Sequence, residues 1–295
     1  MATVTDRQEA PETTRPQAPA RAPVHQQMGA RLTLIVMSIL FLIPLFWMVS
    51  TSLKSPAELA ATTPTWLPKE WMWSNYSDAF QAFPFGRYFV NSVLITGLAV
   101  LGSVLASVIV AYGFACIEWR GRDKVFYVVI ATMFLPGTIT LIPTFDLFAW
   151  LHMVNSWFPL ILPHFLAGGF FVFLLRQFLL QIPRDLLDAA RIDGASEWWL
   201  LWRVAAPMAK PALAVVAIFT AVGSWNDFLG PLIYVSDPNL QPLAIGIQQL
   251  RQVQPDKITT NLLMAASTMV VIPVVLMFFV FQRYFIRGIT LGSIR

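Results

Sequence analysis

The sequence predicts an all-α integral membrane protein of six transmembrane helices, and three observations carry that expectation. Of its 295 residues 57% are hydrophobic and 12% charged, with a mean hydropathy of +0.63, whereas roughly a quarter of an ordinary soluble domain is charged. Six stretches free of Asp, Glu, Lys and Arg occupy Leu32–Leu53, Tyr88–Ile117, Val125–Phe145, Met153–Leu175, Pro211–Asn226 and Ile258–Gln282. Most exceed the roughly 20 residues needed to cross hydrocarbon. Finally, fifteen of the twenty Lys and Arg residues fall in alternate segments between these runs, which is the asymmetry expected of cytoplasmic loops.

Residues Met1 to about Ala30 are rich in Ala, Pro, Gln, Thr and Arg, too polar to offset the entropy of ordering, and are expected to form a disordered cytoplasmic tail. The first apolar run begins too late and runs too long for a secretory signal. Residues 31–295 make up the membrane domain. The charge distribution places both termini inside, with Arg120, Arg122 and Lys124, and then the 177–210 loop, on the same side. Outside, Lys54–Arg87 carries Trp66, Trp71, Trp73 and Tyr76 among prolines, a composition suited to the membrane interface. Asp146–His152 reads as a tight outer connection. Pro136, Pro143, Pro159, Pro163 and Pro273 interrupt the apolar runs and predict kinks, tolerated in membranes where neighbours re-satisfy the freed carbonyls.

Several classes of function are disfavoured. The single cysteine, Cys116, lies in the second run, so no intramolecular disulfide and no Cys-x-x-Cys pair exists. A net charge of +4 with its basic residues beside membrane segments argues against nucleic-acid binding. No Gly-Lys dipeptide occurs, so there is no phosphate-cradling loop. Gly194-Ala195-Ser196-Glu197-Trp198 lacks the closing glycine of a nucleophile elbow. A gradient-driven carrier would need coupling-ion groups near the midplane and often an internal repeat; neither is read here. A membrane enzyme or respiratory subunit would want paired histidines or carboxylates. His164 in the fourth run has no partner of metal-ligating type nearby in sequence and is expected to be a packing residue.

The 177–210 loop is the most informative segment. Pro183 is placed to start a helix and Gly194 to end one, since glycine enters the left-handed conformation freely. Leu186, Ala189, Ala190 and Asp193 recur at three- and four-residue spacing and should share a side. Adjacent alanines there would let another protein approach the backbone. A second helix is expected to run on into the fifth span. In that span Asn226 and Asp227 are polar, and a rise of 1.5 Å per residue from Pro211 puts Asp227 roughly 24 Å along. An intramembrane carboxylate usually faces a partner or a wet cavity, so Asn226 and Asp227 are candidate pathway or gate residues.

The stretch Asp188-Ala189-Ala190-Arg191-Ile192-Asp193-Gly194-Ala195-Ser196, followed by Pro207, resembles the Glu-Ala-Ala loop of permease subunits of bacterial binding-protein-dependent ABC importers. It matches at Ala189, Ala190, Asp193, Gly194, Ala195 and Pro207, and departs at Asp188, one methylene shorter than the usual glutamate. Trp225-Asn226-Asp227-Phe228-Leu229 and Gln282-Arg283-Tyr284-Phe285-Ile286-Arg287-Gly288 extend the likeness to the carbohydrate-importer subfamily. The resemblance implies a type I importer fold and a heteromeric complex in the bacterial inner membrane, with a second permease, two cytoplasmic ATPase subunits and an extracytoplasmic solute-binding protein. ATP and Mg would be bound by the ATPase, and no cofactor by this chain. It also implies that the short helix docks in the ATPase, with Asp188, Ala189, Ala190, Asp193, Gly194, Ala195 and Pro207 as coupling residues, and that the outer loop Asp237–Lys257 meets the solute-binding protein. The cargo stays open among sugars, oligosaccharides and glycerol phosphoesters.

Overall fold

The computed structural model describes residues 24–252 and 260–291, and the chain divides into two compact units, Met1–Trp47 and Met48–Arg295. Of the tail expected to lack structure, residues 1–23 lie outside the described residues, but 24–30 are helical. Helix α1 (Val24–Ser52) begins directly after Pro23, past which no residue blocks a helix until Pro44. Every residue from Arg31 to Phe46 is exposed.

In the second unit the organising element is α2 (Phe85–Ala115), 31 residues long and so about 46 Å by helical rise. Its buried side carries Ser92, Thr96, Ala99, Gly102, Ser103, Ser107, Ala111 and Ala115. Between spans the lipid offers no hydrophobic drive, so close approach over small residues decides packing. Gly102 shows this directly, because a Cβ there would run into the ring of Phe165.

The third predicted span is not one helix. Helix α3 (Arg122–Ala131), a 3-10 turn at Thr132–Phe134 and α4 (Gly137–Trp150) are bent by 100° at Leu135–Pro136. Leu135 is extended at φ −79°, ψ 114° because a residue before proline is pushed out of the α region. Helix α4 absorbs Asp146, so the expected connection at 146–152 is displaced beyond Trp150.

The fourth span is also broken. A turn at Phe158–Ile161 and a 3-10 segment at Leu162–Leu166 lead to Ala167 at φ +55°, and α5 follows at Gly169–Leu179. Gly169 is needed where a Cβ would lie 2.7 Å from the Val129 carbonyl. After α5 come α6 (Arg184–Ile192), α7 (Lys210–Trp225), α8 (Leu243–Gln252) and α9 (Thr260–Leu291).

Buried residues gather at opposite ends of α2. One cluster joins Val108 and Tyr112 to Leu175, Leu179, Leu200, Leu201 and Val216. Toward the other end Phe85 and Tyr88 meet Trp225, Leu243, Ala265 and Ala266, and Ile95 meets Phe148, Leu160 and Tyr234. The approach to α8 is pinned to α2 by polar contacts: Asn91 Nδ2 donates to the carbonyls of Asn239 at 2.8 Å and Gln241 at 2.9 Å, and the Leu243 N–H donates to Ser92 Oγ at 2.9 Å. Leu243, Ile245 and Leu250 therefore point inward, while residues 253–257 of that loop lie outside the described residues.

Candidate functional site: a tethered loop helix and a polar cavity

Local chemistry sets the ends of α6. Pro183 is its N-cap at φ −56°, and Gly194 beyond its C-terminus has φ +85°. The Ala195 N–H donates to the Ala190 carbonyl at 3.0 Å and the Gly194 N–H to that of Arg191 at 3.0 Å. This is the paired hydrogen-bonding of a Schellman motif, which requires the left-handed residue. Ser196 then caps the next turn, its Oγ accepting the Trp199 N–H at 3.2 Å.

The expected common side of α6 divides in two. Leu186, Ala189 and Asp193 are exposed together with Ile192, whereas Ala190 packs with Leu187 and Ala195 against the core. Helical spacing alone could not separate them, because Ala190 lies between the two faces. Asp188 is paired within the helix, its Oδ1 accepting from Arg191 Nη1 at 2.7 Å.

Arg191, absent from the expected set, is the centre of the loop. Its Nε donates to Glu197 Oε1 at 2.7 Å, and its Nη2 donates to the Cys116 carbonyl at 2.9 Å. Tyr112, near the end of α2, donates to Glu197 Oε2 at 2.6 Å. The hydrogen bond to Glu197 raises the Arg191 pKa, and the same contact holds Glu197 below the usual carboxylate range. Charge-assisted hydrogen bonds of this length are the stronger kind. They tie α6 to the turn after it and to α2 at once.

Pro207 does a different job. The stretch Leu201–Ala205 is a π turn, closed by the Ala206 N–H on the Leu201 carbonyl. Proline has no N–H and crowds the carbonyl four residues back, which favours the wider turn. An 80° bend follows at Ala209, so the second helix leads into the fifth span through a bend and not as one continuous helix.

Asn226 and Asp227, expected along the helix of the fifth span, lie past its end. Helix α7 stops at Trp225, and a new turn starts at Leu229. Asn226 is exposed and donates to the Val222 carbonyl at 2.8 Å. Asp227 instead lines a cavity of about 300 Å³ with Ser92, His164, Thr220, Ser224, Phe171 and Phe219. One of its oxygens accepts the Gly230 N–H at 3.1 Å. His164, given no role from sequence, reaches this cavity from the broken fourth span and lies 3.2 Å from Ser103 Oγ. The two residues are 61 apart in the chain, so no spacing rule could have joined them.

The chain is 33% identical over 272 residues to the arabinooligosaccharides transport system permease protein of Bacillus subtilis, covering 91% of this chain and 96% of that one. It is 34% identical over 263 residues to the diacetylchitobiose uptake system permease protein of Streptomyces coelicolor, covering 89% and 87%. Its fold matches a solved bacterial ABC transporter involved in import of the acidic polysaccharide alginate, with TM-score 0.78, 23% identity, and coverage of 91% of this chain and 100% of that one. Residues 103–291 match the family described as binding-protein-dependent transport system inner membrane component. The chain belongs to that family, as a multi-pass membrane permease subunit of a transport system.

Proposed function

We propose that this chain forms one half of the translocation pore of an ATP-driven importer for a sugar or oligosaccharide, with both termini cytoplasmic. A second permease, two ATPase subunits and an extracytoplasmic solute-binding protein complete the complex. ATP and Mg belong to the ATPase, since this sequence carries no phosphate-cradling loop. The saccharide cargo is carried over from relatives named for arabinooligosaccharides and diacetylchitobiose.

The observation that supports coupling is the double attachment of α6. Leu186, Ala189, Ile192 and Asp193 offer an outward face to an ATPase, while Arg191 holds the helix to Glu197 and to the end of α2. A displacement of α6 is thereby passed to a span that packs against α5 and α7. Gly194 keeps the aim of the helix. Nothing lies within 4 Å of its would-be Cβ, so Gly194→Val costs only the left-handed strain of about 1–2 kcal/mol. That is too little to prevent insertion of the spans and enough to misdirect α6. Gly194→Val should therefore accumulate in the membrane yet lose ATPase association or couple hydrolysis poorly to uptake. Full uptake with unchanged co-purification of the ATPase would sink this reading of the loop.

A further inference from the structure

We infer that the cavity between α2, the 158–166 segment and α7 is a subsite for an uncharged, polyhydroxylated solute, and that it discriminates against anionic ones. This deepens the saccharide-permease reading and rests on it.

Thr220 is 3% exposed, and its Oγ1 has no hydrogen-bond partner among the described residues. A buried hydroxyl left so is costly, and this one lines the cavity. Around it stand the Asp227 carboxylate, with one oxygen engaged by the Gly230 N–H, and the His164 imidazole. A carboxylate accepts hydrogen bonds, an imidazole can accept one, and a threonine hydroxyl can accept or donate. A ligand rich in O–H donors satisfies such a set. Phe171 and Phe219 supply apolar wall, as a sugar's C–H faces require. The volume of about 300 Å³ is that of a small-molecule pocket.

Charge decides between kinds of saccharide. Among the described residues the lining holds an acid and neither lysine nor arginine. A uronate or phosphate would bring only acceptors and a negative charge toward Asp227, and in a poorly screened interior that repulsion is stronger than in water. The structural neighbour named for an acidic polysaccharide is like this chain in fold alone; the cavity points to neutral cargo here.

The test reads occupancy of the cavity in the assembled complex with its partner subunits. Cys116→Ser removes the native thiol, and Ser224→Cys, half-buried in the lining, reports through its rate of labelling by a small methanethiosulfonate. Neutral arabino- or chito-oligosaccharides should protect this thiol at concentrations about tenfold lower than oligouronates of equal length. Asp227→Asn should bring the two classes close together, and Thr220→Val should weaken protection by the neutral class about fivefold. Equal protection by both classes in the parent overturns the inference, as does an unchanged ratio in Asp227→Asn. Absence of protection in a complex that still takes up neutral oligosaccharides overturns it too, leaving the cargo reading intact. A complex that takes up no saccharide at all overturns the cargo reading, and the inference with it.

Discussion

The two bent apolar segments, 122–150 and 197–225, look alike in hydropathy and meet opposite fates. In the first, bent by 100°, the buried side chains are Phe126 and Phe148 alone, while Tyr127, Phe134, Ile139 and Ile142 are exposed. In the second, bent by 80°, Leu200, Leu201, Ala205, Ala206, Ala209, Ala212, Val216 and Thr220 are buried. What separates them is residue size. Alanines recur along 197–225 and let it nest against α2, whereas large side chains along 122–150 hold neighbours off and present an apolar surface suited to lipid. Hydropathy says that a segment enters the membrane, and small residues say which segments pack.

That contrast can be broken by exchanging sizes. Ala205 is fully buried, so Ala205→Phe should overpack its site and destabilise by about 1–3 kcal/mol, while Ile139→Phe on the exposed segment should change stability by less than about 0.5 kcal/mol. Thermal unfolding of the two purified variants in one detergent compares them. Equal losses would mean that size is not what distinguishes the segments.

A smaller effect sharpens the same comparison from the loop side. Arg191→Ala removes the hydrogen bonds to Glu197, Asp188 and the Cys116 carbonyl at the entrance to 197–225 without touching its core. The Arg191 and Glu197 side chains are 33% and 42% exposed, so solvent screening keeps the loss in stability within about 1 kcal/mol. Transport should suffer more than stability, with ATP hydrolysis continuing while uptake per ATP falls. Uptake per ATP equal to that of the parent would remove Arg191 from the coupling path.

The smallest effect is with pH. Glu197 has a lowered pKa in the folded protein because Arg191 and then Tyr112 donate to it. Its contribution is present above the ordinary carboxylate pKa and is lost as pH falls through the depressed folded value. Stability should thus decline on acidification below the usual carboxylate range. Glu197→Gln should flatten that part of the profile, and an unflattened one would place the acid sensitivity elsewhere.

The residues themselves determined what depends on neighbours in sequence. Membrane residence follows from runs of uncharged side chains, and the ends of α6 follow from Pro183 and Gly194, whose backbone preferences act within one turn. The Schellman bonds of Gly194 and Ala195 are local for the same reason. A proline break at 135–136 was foreshadowed by Pro136, though its angle was not.

Only the tertiary structure decided the rest. The apolar run past Trp225 disguised the end of α7, because hydropathy does not record whether a helix continues. Separating Asn226 from Asp227 needed the chain path after that end. Tyr112 meets Glu197 across 85 residues and Ser103 meets His164 across 61. Such pairs form when packed helices bring distant side chains together, and neither periodicity nor spacing carries that information.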